Sequence, residues 1–171
     1  PLKNSKGVNT SGVFGFLNTL EKIKKRLVTD YLGLAFDAPG ETFREKEFKE
    51  YKANRPAAPA DIPFQIAKSK ELAQHLGLAL YELEGYEADD ILATIAMKLK
   101  NFGTVYIVSS DKDLLQLVSD KIFVYDAYRD EIFDRDKVIE KYGLPPERIV
   151  EYLALTGDAI DNVPGVPGIG P

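Results

Sequence analysis

The sequence predicts an α/β fold with a mostly parallel sheet in three layers, helices covering both faces. Three observations lead there. Short apolar runs rich in β-formers alternate with stretches of helical periodicity, the pattern of parallel strands joined by helical crossovers. Two of the strand candidates run straight into aspartate, "LAF" into Asp37 and "IVSS" into Asp111. Gly and Pro clusters separate the periodic segments, and neither an internal repeat nor a low-complexity tract interrupts them.

After a polar opening, "PLKNSKGVNT", the apolar residues Val13, Phe14, Leu17, Leu20, Ile23 and Leu27 fall at helical spacing and predict a helix over 11–28. "YLGLAF" (31–36) is a short buried-type strand broken by "APG". "ETFREKEFKEYKANR" (41–55) suits a strongly charged helix, ended by "PAAPA". Asp61 and Pro63 suit the cap and first turn of a helix reaching about Leu76. "LALYEL" (78–83) predicts a strand, 87–100 a helix with an acidic start, "TVYIVSS" (104–110) the clearest strand, and "KIFVYDA" (121–127) another. Helices over 135–142 and 146–155 follow, with Gly143 and Gly157 as stops. The end, "DNVPGVPGIGP", has the composition of a loop.

Composition narrows the chemistry. With 171 residues, 44% of them hydrophobic, the chain is long enough for a core without covalent staples. The absence of cysteine excludes disulfides and thiolate zinc, and a single histidine, His75, leaves little room for imidazole-based metal sites or a Ser-His-Asp triad. Any metal must be held by oxygen, which favours Mg²⁺ or Mn²⁺. No apolar run spans a bilayer and no signal peptide opens the chain, so the expected location is cytoplasmic.

The acids are distributed unevenly. Asp37, the pair Asp111 and Asp113, and the group Glu87, Asp89 and Asp90 all fall at or just after the carboxyl ends of predicted strands, where ligands bind in open parallel sheets. Asp158 and Asp161 follow in "TGDAIDN". Each group alone has a local explanation, as turn initiator, helix cap or partner of the helix dipole. Eight together repel one another unless positive charge sits between them. Divalent ions held by oxygen supply it, and two such ions clamp the attacking and leaving oxygens of a phosphodiester. Setting these eight aside from 27 acids leaves 19 against 22 basic residues, so the formal charge of −5 does not exclude a nucleic-acid partner.

Four stretches, "FDAPGETFREKEFKEYKANRP", "EGYEADD", "SSDKDLLQLV" and "LTGDAIDNVPGVPGIG", resemble the 5′-nuclease domain found in bacterial DNA polymerase I, a member of the flap-endonuclease group with a PIN-like, resolvase-like fold. The resemblance runs through nearly the whole chain in the same order. It implies a metal-dependent 5′-3′ exonuclease and 5′-flap endonuclease of DNA replication and repair, which hydrolyses phosphodiesters with metal-activated water. It implies two divalent cations, Mg²⁺ or Mn²⁺. Asp37, Glu87, Asp89, Asp90, Asp111, Asp113 and Asp161 match catalytic metal-site acids, and Asp158 joins them as a metal ligand. Arg44, Lys52 and Arg55 share an arc of roughly 80° on an ideal helix. They match the arch that admits a single-stranded 5′ end, where basic residues grip phosphates and an aromatic stacks on a base. Gly165, Gly168 and Gly170 match the glycine-rich opening of a helix-three-turn-helix segment that holds duplex phosphates.

The expected division is thus a nuclease domain over 1–161 and the start of that DNA-binding segment over 162–171. The partners implied are DNA with 5′ ends or flaps and a covalently linked downstream polymerase, with the nuclease a monomer and no membrane involved. Family members begin with a strand ending in Asp-Gly, and the stretch before Ser11 matches the region after it. The expectation is an N-terminally incomplete domain, short of one strand and one acid, that folds poorly or cleaves weakly by itself. Two other readings compete: a DNA-binding module with a weakly active or inactive metal site, and a small Mg²⁺ phosphatase using an aspartyl nucleophile. His75 reads as a satisfied polar residue, and Met97, Tyr106, Tyr125 and Tyr128 as packing.

Overall fold

In a computed structural model, which describes residues 2–170, each predicted helix and strand is present, several of them shorter than expected. The chain divides into two compact units. One comprises the residues up to Phe36 together with Pro56–Tyr81, and the other Asp37–Arg55 together with everything from Glu82 onward. The outer bounds of the expected domains, Pro1 and Pro171, lie outside the described residues.

The first unit holds helix α1 (Ser11–Arg26), strand β1 (Gly33–Ala35), helix α3 (Ile62–His75) and strand β2 (Ala79–Tyr81). Leu20, Ile23 and Leu27 bury the apolar stripe of α1, and Ala73 is fully buried on α3. The close approach of the two helices is marked by Gly12, whose backbone N–H donates to Gln65 Oε1. A Cβ at Gly12 would stand 2.6 Å from that oxygen, so a side chain there requires the buried Gln65 amide to move. Asp61 does not cap α3 through its side chain. It accepts instead from Asn9 Nδ2 and Gln65 Nε2, which fixes the loop before α1. Strands β1 and β2 pair in parallel, Leu34 opposite Leu80. Ahead of α1 the described residues form only an isolated bridge, Lys3 with Asn9.

The second unit is larger. Helix α2 (Phe43–Glu47) opens with a capping box in which Thr42 accepts from the Glu45 N–H and the Thr42 N–H donates to Glu45 Oε2. The expected helix over 41–55 is thereby shortened. Phe48 turns extended, and Lys52 takes a left-handed conformation with φ of 57°, incompatible with a continuing helix. Helix α4 (Ala88–Leu99), strand β3 (Val105–Val108), strand β4 (Ile122–Asp126) and strand β5 (Glu131–Phe133) follow, then α5 (Arg135–Tyr142) and α6 (Ile149–Thr156). Single 3₁₀ segments occupy Lys112–Leu117 and Pro146–Arg148.

Strands β3 and β4 are parallel, and β5 returns antiparallel on β4 through a tight turn capped by buried Asp126. The α/β class holds, with the ladders falling into two small sheets, β1–β2 and β3–β4–β5. Ile107, Leu114, Leu115, Ile122, Val124, Phe133, Val138 and Ile149 form one buried cluster on which Leu92 and Leu153 also pack. Of the aromatics expected to pack, Tyr125 is fully buried, its hydroxyl bound to Asp130 Oδ1 at 2.7 Å, but Tyr128 is 93% exposed at the hairpin tip.

Candidate active site

All eight candidate acids belong to the second unit. Asp37 follows β1 and the Phe36 amide, and its Oδ1 accepts from the Ala88 N–H at 2.7 Å, satisfying a free amide at the start of α4. Asp90 does the same from inside the helix, accepting from the Glu87 N–H at 3.0 Å. The Arg44 guanidinium grips Asp90 with two bonds of 2.7 Å. That pairing holds the Asp90 carboxyl below the usual carboxylate range, helped by the Glu87 amide. Asp90 is thus engaged from two sides, by the Arg44 guanidinium and by the amide at the start of α4.

Asp89 lies in a different environment. Burial, then the charges of Asp111, Asp37 and Glu87, push its pKa up to about 6. Asp113 is pushed up to about 6 as well, by burial and then by Asp111 and Asp158. These couplings join four separate segments, so the acids converge in space. The short 3₁₀ turn after β3 makes this possible. Asp111 caps it, with Oδ1 accepting from the Asp113 N–H at 2.8 Å, while the Asp111 N–H donates to Ser109 Oγ. The "DKD" motif is thus a cap and part of an acidic cluster at once. Ser109 serves the turn.

Asp158 and Asp161 sit on a loop closed at its base by the paired backbones of Asp158 and Val163, each amide donating to the other's carbonyl at 2.8 Å. Burial works against ionised Asp158, but the Ile160 amide and the Lys112 ammonium, 3.2 Å away, outweigh it and lower its pKa. Gly157 and Gly165 press together beneath this loop, where a Cβ on either would overlap the other strand's backbone. Gly165 therefore has a packing reason to be glycine. Gly168, with φ of 85°, and Gly170 face open space.

The three basic residues expected to face DNA point at the acids. Arg44 holds Asp90, Lys52 Nζ lies 2.5 Å from Glu87 Oε1, and Arg55 pairs with Asp161. Their convergence does not come from one helical arc, since α2 ends at Glu47 and Lys52 and Arg55 stand in the turns beyond it. Tyr51 proves central: its hydroxyl lies 3.0 Å from Glu87 Oε2 and 3.2 Å from Asp161 Oδ2. Nothing in the local pattern marked that role, because it depends on a backbone turn set by distant residues. Lys112, which pairs with Asp158, carried no signal in the sequence beyond its place in "DKD".

Beside the acids opens a cleft of about 350 Å³, lined by Arg44, Phe48, Tyr51, Asp113, Asp158 and Asp161 among others. Among the described residues no three carboxylates share a point from which they would chelate one ion in this arrangement. The donor set nonetheless fits a hard divalent cation. All donors are oxygens, and Asp113 Oδ1 is buried with no hydrogen-bond partner. A buried acceptor left unpaired is costly unless a cation completes it.

Comparison with known proteins places the chain in a family. Residues 1–143 match the family described as 5′-3′ exonuclease, N-terminal resolvase-like domain. A 5′-3′ exonuclease from Aquifex aeolicus is 47% identical over 172 residues, covering 100% of this chain and 60% of that protein. DNA polymerase I of Bacillus subtilis is 42% identical over 99% of this chain but only 20% of its own length. The chain thus spans about three-fifths of the first relative and a fifth of the second. A solved bacteriophage T5 5′-exonuclease with bound zinc shares the fold, with a TM-score of 0.74 at 22% identity over 92% of this chain and 63% of its own. The catalytic core of Rad2 in complex with DNA matches with a TM-score of 0.55 at 20% identity, over 99% of this chain and 53% of that one.

Proposed function

This chain belongs to the family of 5′-3′ exonucleases defined by the N-terminal resolvase-like domain, and from that premise we propose that it hydrolyses DNA phosphodiesters at 5′ ends and flaps. One observation carries the reading. Burial, together with the charges of neighbouring carboxylates from four segments, raises Asp89 and Asp113 to about 6, and that concentration of half-buried negative charge calls for divalent cations. Asp37, Glu87, Asp89, Asp111, Asp113, Asp158 and Asp161 would hold them, with Asp90 fixing the helix from which Glu87 and Asp89 project. Mg²⁺ or Mn²⁺ suits donors that are all oxygen. Bound there, two such ions would supply Lewis-acid activation and neutralise charge on the phosphate oxygens.

The chain's own groups do the rest. Arg44, Lys52 and Arg55 supply positive charge where a phosphate backbone would approach the acids. Phe48 and Tyr51 line the adjoining cleft, where a base would meet an aromatic face. Residues 162–170, with open backbone at Gly168 and Gly170, would begin a duplex-phosphate contact. The wider protein would be a monomeric, cytoplasmic DNA-processing enzyme, linked to a polymerase where the gene provides one.

A second reading, a DNA-binding module that does not cut, draws on the absence among the described residues of three carboxylates converging on one point. A labelled 5′-flap duplex titrated with Mg²⁺ or Mn²⁺ decides between them. Metal-dependent release of the 5′ fragment supports the nuclease. Binding without release supports the module, and turnover of a phosphomonoester instead of the flap would sink both.

A further inference from the structure

The turn after α2 is tied to the loop carrying Asp161 by bonds that have nothing to do with charge. The Lys52 N–H donates to the Asp161 carbonyl at 2.9 Å, Asn54 Nδ2 to the Ala159 carbonyl at 2.8 Å, and Asn162 Nδ2 to the Glu50 carbonyl at 2.7 Å. Lys52 and Asn162 both adopt left-handed backbone, with φ of 57° and 58°, a conformation unfavourable for a lysine. Such a conformation persists where its surroundings over-determine it.

Its effect is to aim two adjacent side chains at the same carboxylates. The Tyr51 hydroxyl stands between Glu87 Oε2 and Asp161 Oδ2, and has one proton to donate to two acceptors. Lys52 Nζ sits 2.5 Å from Glu87 Oε1 and 3.9 Å from Asp161 Oδ2. Both oxygens of Glu87 are thus engaged by neighbouring residues of one turn. The carboxylates themselves are only 14% exposed, so the ammonium fills space that solvent does not.

We propose that Tyr51 and Lys52 are positioning residues of the metal site: the Tyr51 hydroxyl holds Glu87 and Asp161 together, and the Lys52 ammonium occupies the edge of that pair that a divalent ion takes over. Ion entry and Lys52 release are then two sides of one exchange, and by linkage each opposes the other equally. The exchange has a use. It frees a cation beside the site only once metal is bound, so that phosphate meets Lys52 and the ions together. This rests on the metal-site reading above.

Mn²⁺ binding to the whole chain, followed by the electron paramagnetic resonance signal of free Mn²⁺, tests it without any substrate. Lys52→Met is expected to bind Mn²⁺ about tenfold more tightly than the parent. Tyr51→Phe is expected to bind about threefold to tenfold more weakly, having lost one hydrogen bond that orients the ligands. Lys49→Met serves as the charge control, since Lys49 pairs with Glu41, and should stay within about twofold. Circular dichroism confirms that each variant is folded. Equal or weaker binding by Lys52→Met, no change in Tyr51→Phe, or a gain in Lys49→Met as large as that in Lys52→Met would overturn the proposal while leaving the metal site standing. No Mn²⁺ binding by the folded parent would overturn the metal site and the proposal together.

Discussion

The two units of this chain solve the same packing problem with opposite electrostatics. In the first, the polar groups between α1 and α3 are satisfied largely by neutral amides: Gln65 meets the Gly12 N–H, and buried Ser69 lies on the same helix. There Asp61 accepts from the amides of Asn9 and Gln65, and the other acid engaged on α3, Glu71, pairs with Lys68 at the surface. In the second, a larger apolar cluster supports carboxylates that raise one another's pKa and draw in Arg44, Lys52, Arg55 and Lys112. The first unit has spent its polar groups on its own architecture. The second keeps some in reserve, and unspent charge is what a reaction or a ligand can use.

The largest expected effect comes from removing what supports the charged region. Ile122 is fully buried at the centre of the second unit's cluster, so Ile122→Ala should lower stability by about 2–5 kcal/mol in urea unfolding. A change under about 1 kcal/mol would mean that the acids do not rest on a rigid core. Next is Gly12→Ala, which pushes a methyl into Gln65 and should cost about 1–3 kcal/mol. Hydrogen exchange should show the loss first at amides of α1 and α3. Loss spread evenly over β3 and β4 would mean the units are less distinct than their contacts suggest.

A smaller effect sharpens the contrast. Asp89 and Asp113 have folded pKa values raised to about 6, against about 3.9 in an unfolded chain. Between those values the folded state holds protons that the unfolded state has released. Stability from this source is therefore present below about pH 4 and falls as pH rises to about 6. The size should be on the order of 1 kcal/mol, because both groups are only about half-buried and water screens them. Asp90 and Asp158 work the other way: their lowered values give stability that is lost as pH falls below about 4. Melting scans of Asp89→Asn in metal-free buffer should show part of the pH 4–6 slope gone and a higher midpoint at pH 7. An unchanged slope would remove Asp89 from the cluster. Smallest of all, Lys49→Met breaks an exposed pair with Glu41 and should shift stability by under about 0.5 kcal/mol.

Much of this was legible from residues. Helices α1, α4 and α5 and strands β3 and β4 lie within a residue or two of the limits that apolar spacing and end signals predict. Asp37 and Asp111 were marked by their place after strands, and the acids of "EGYEADD" by their number. The failures share one cause. The segment 41–55 has helical composition, yet its second half bends because Asp161, Ala159 and Asn162 hold it from more than a hundred positions away. Local pattern carries no trace of such partners. That is why Arg44, Lys52 and Arg55 were grouped correctly for the wrong geometric reason, and why the hydroxyl of Tyr51 was missed. Strand β5 escaped notice because "EIF" is too short to show a period.

The glycine pair beneath the Asp158–Asp161 loop bears on how future mutants will be interpreted. Gly157 and Gly165 meet backbone to backbone, so a methyl on either must pry the loop from its seat and carry both aspartates with it. An alanine scan would report Gly165 as indispensable, and a comparison with DNA-bound relatives would tempt one to credit a lost phosphate contact. The same result would follow if no phosphate ever came near. Gly170, whose added methyl would meet nothing, is the position where a binding defect would speak for DNA, whereas Gly168, with φ of 85°, would strain the backbone even though its surroundings are open.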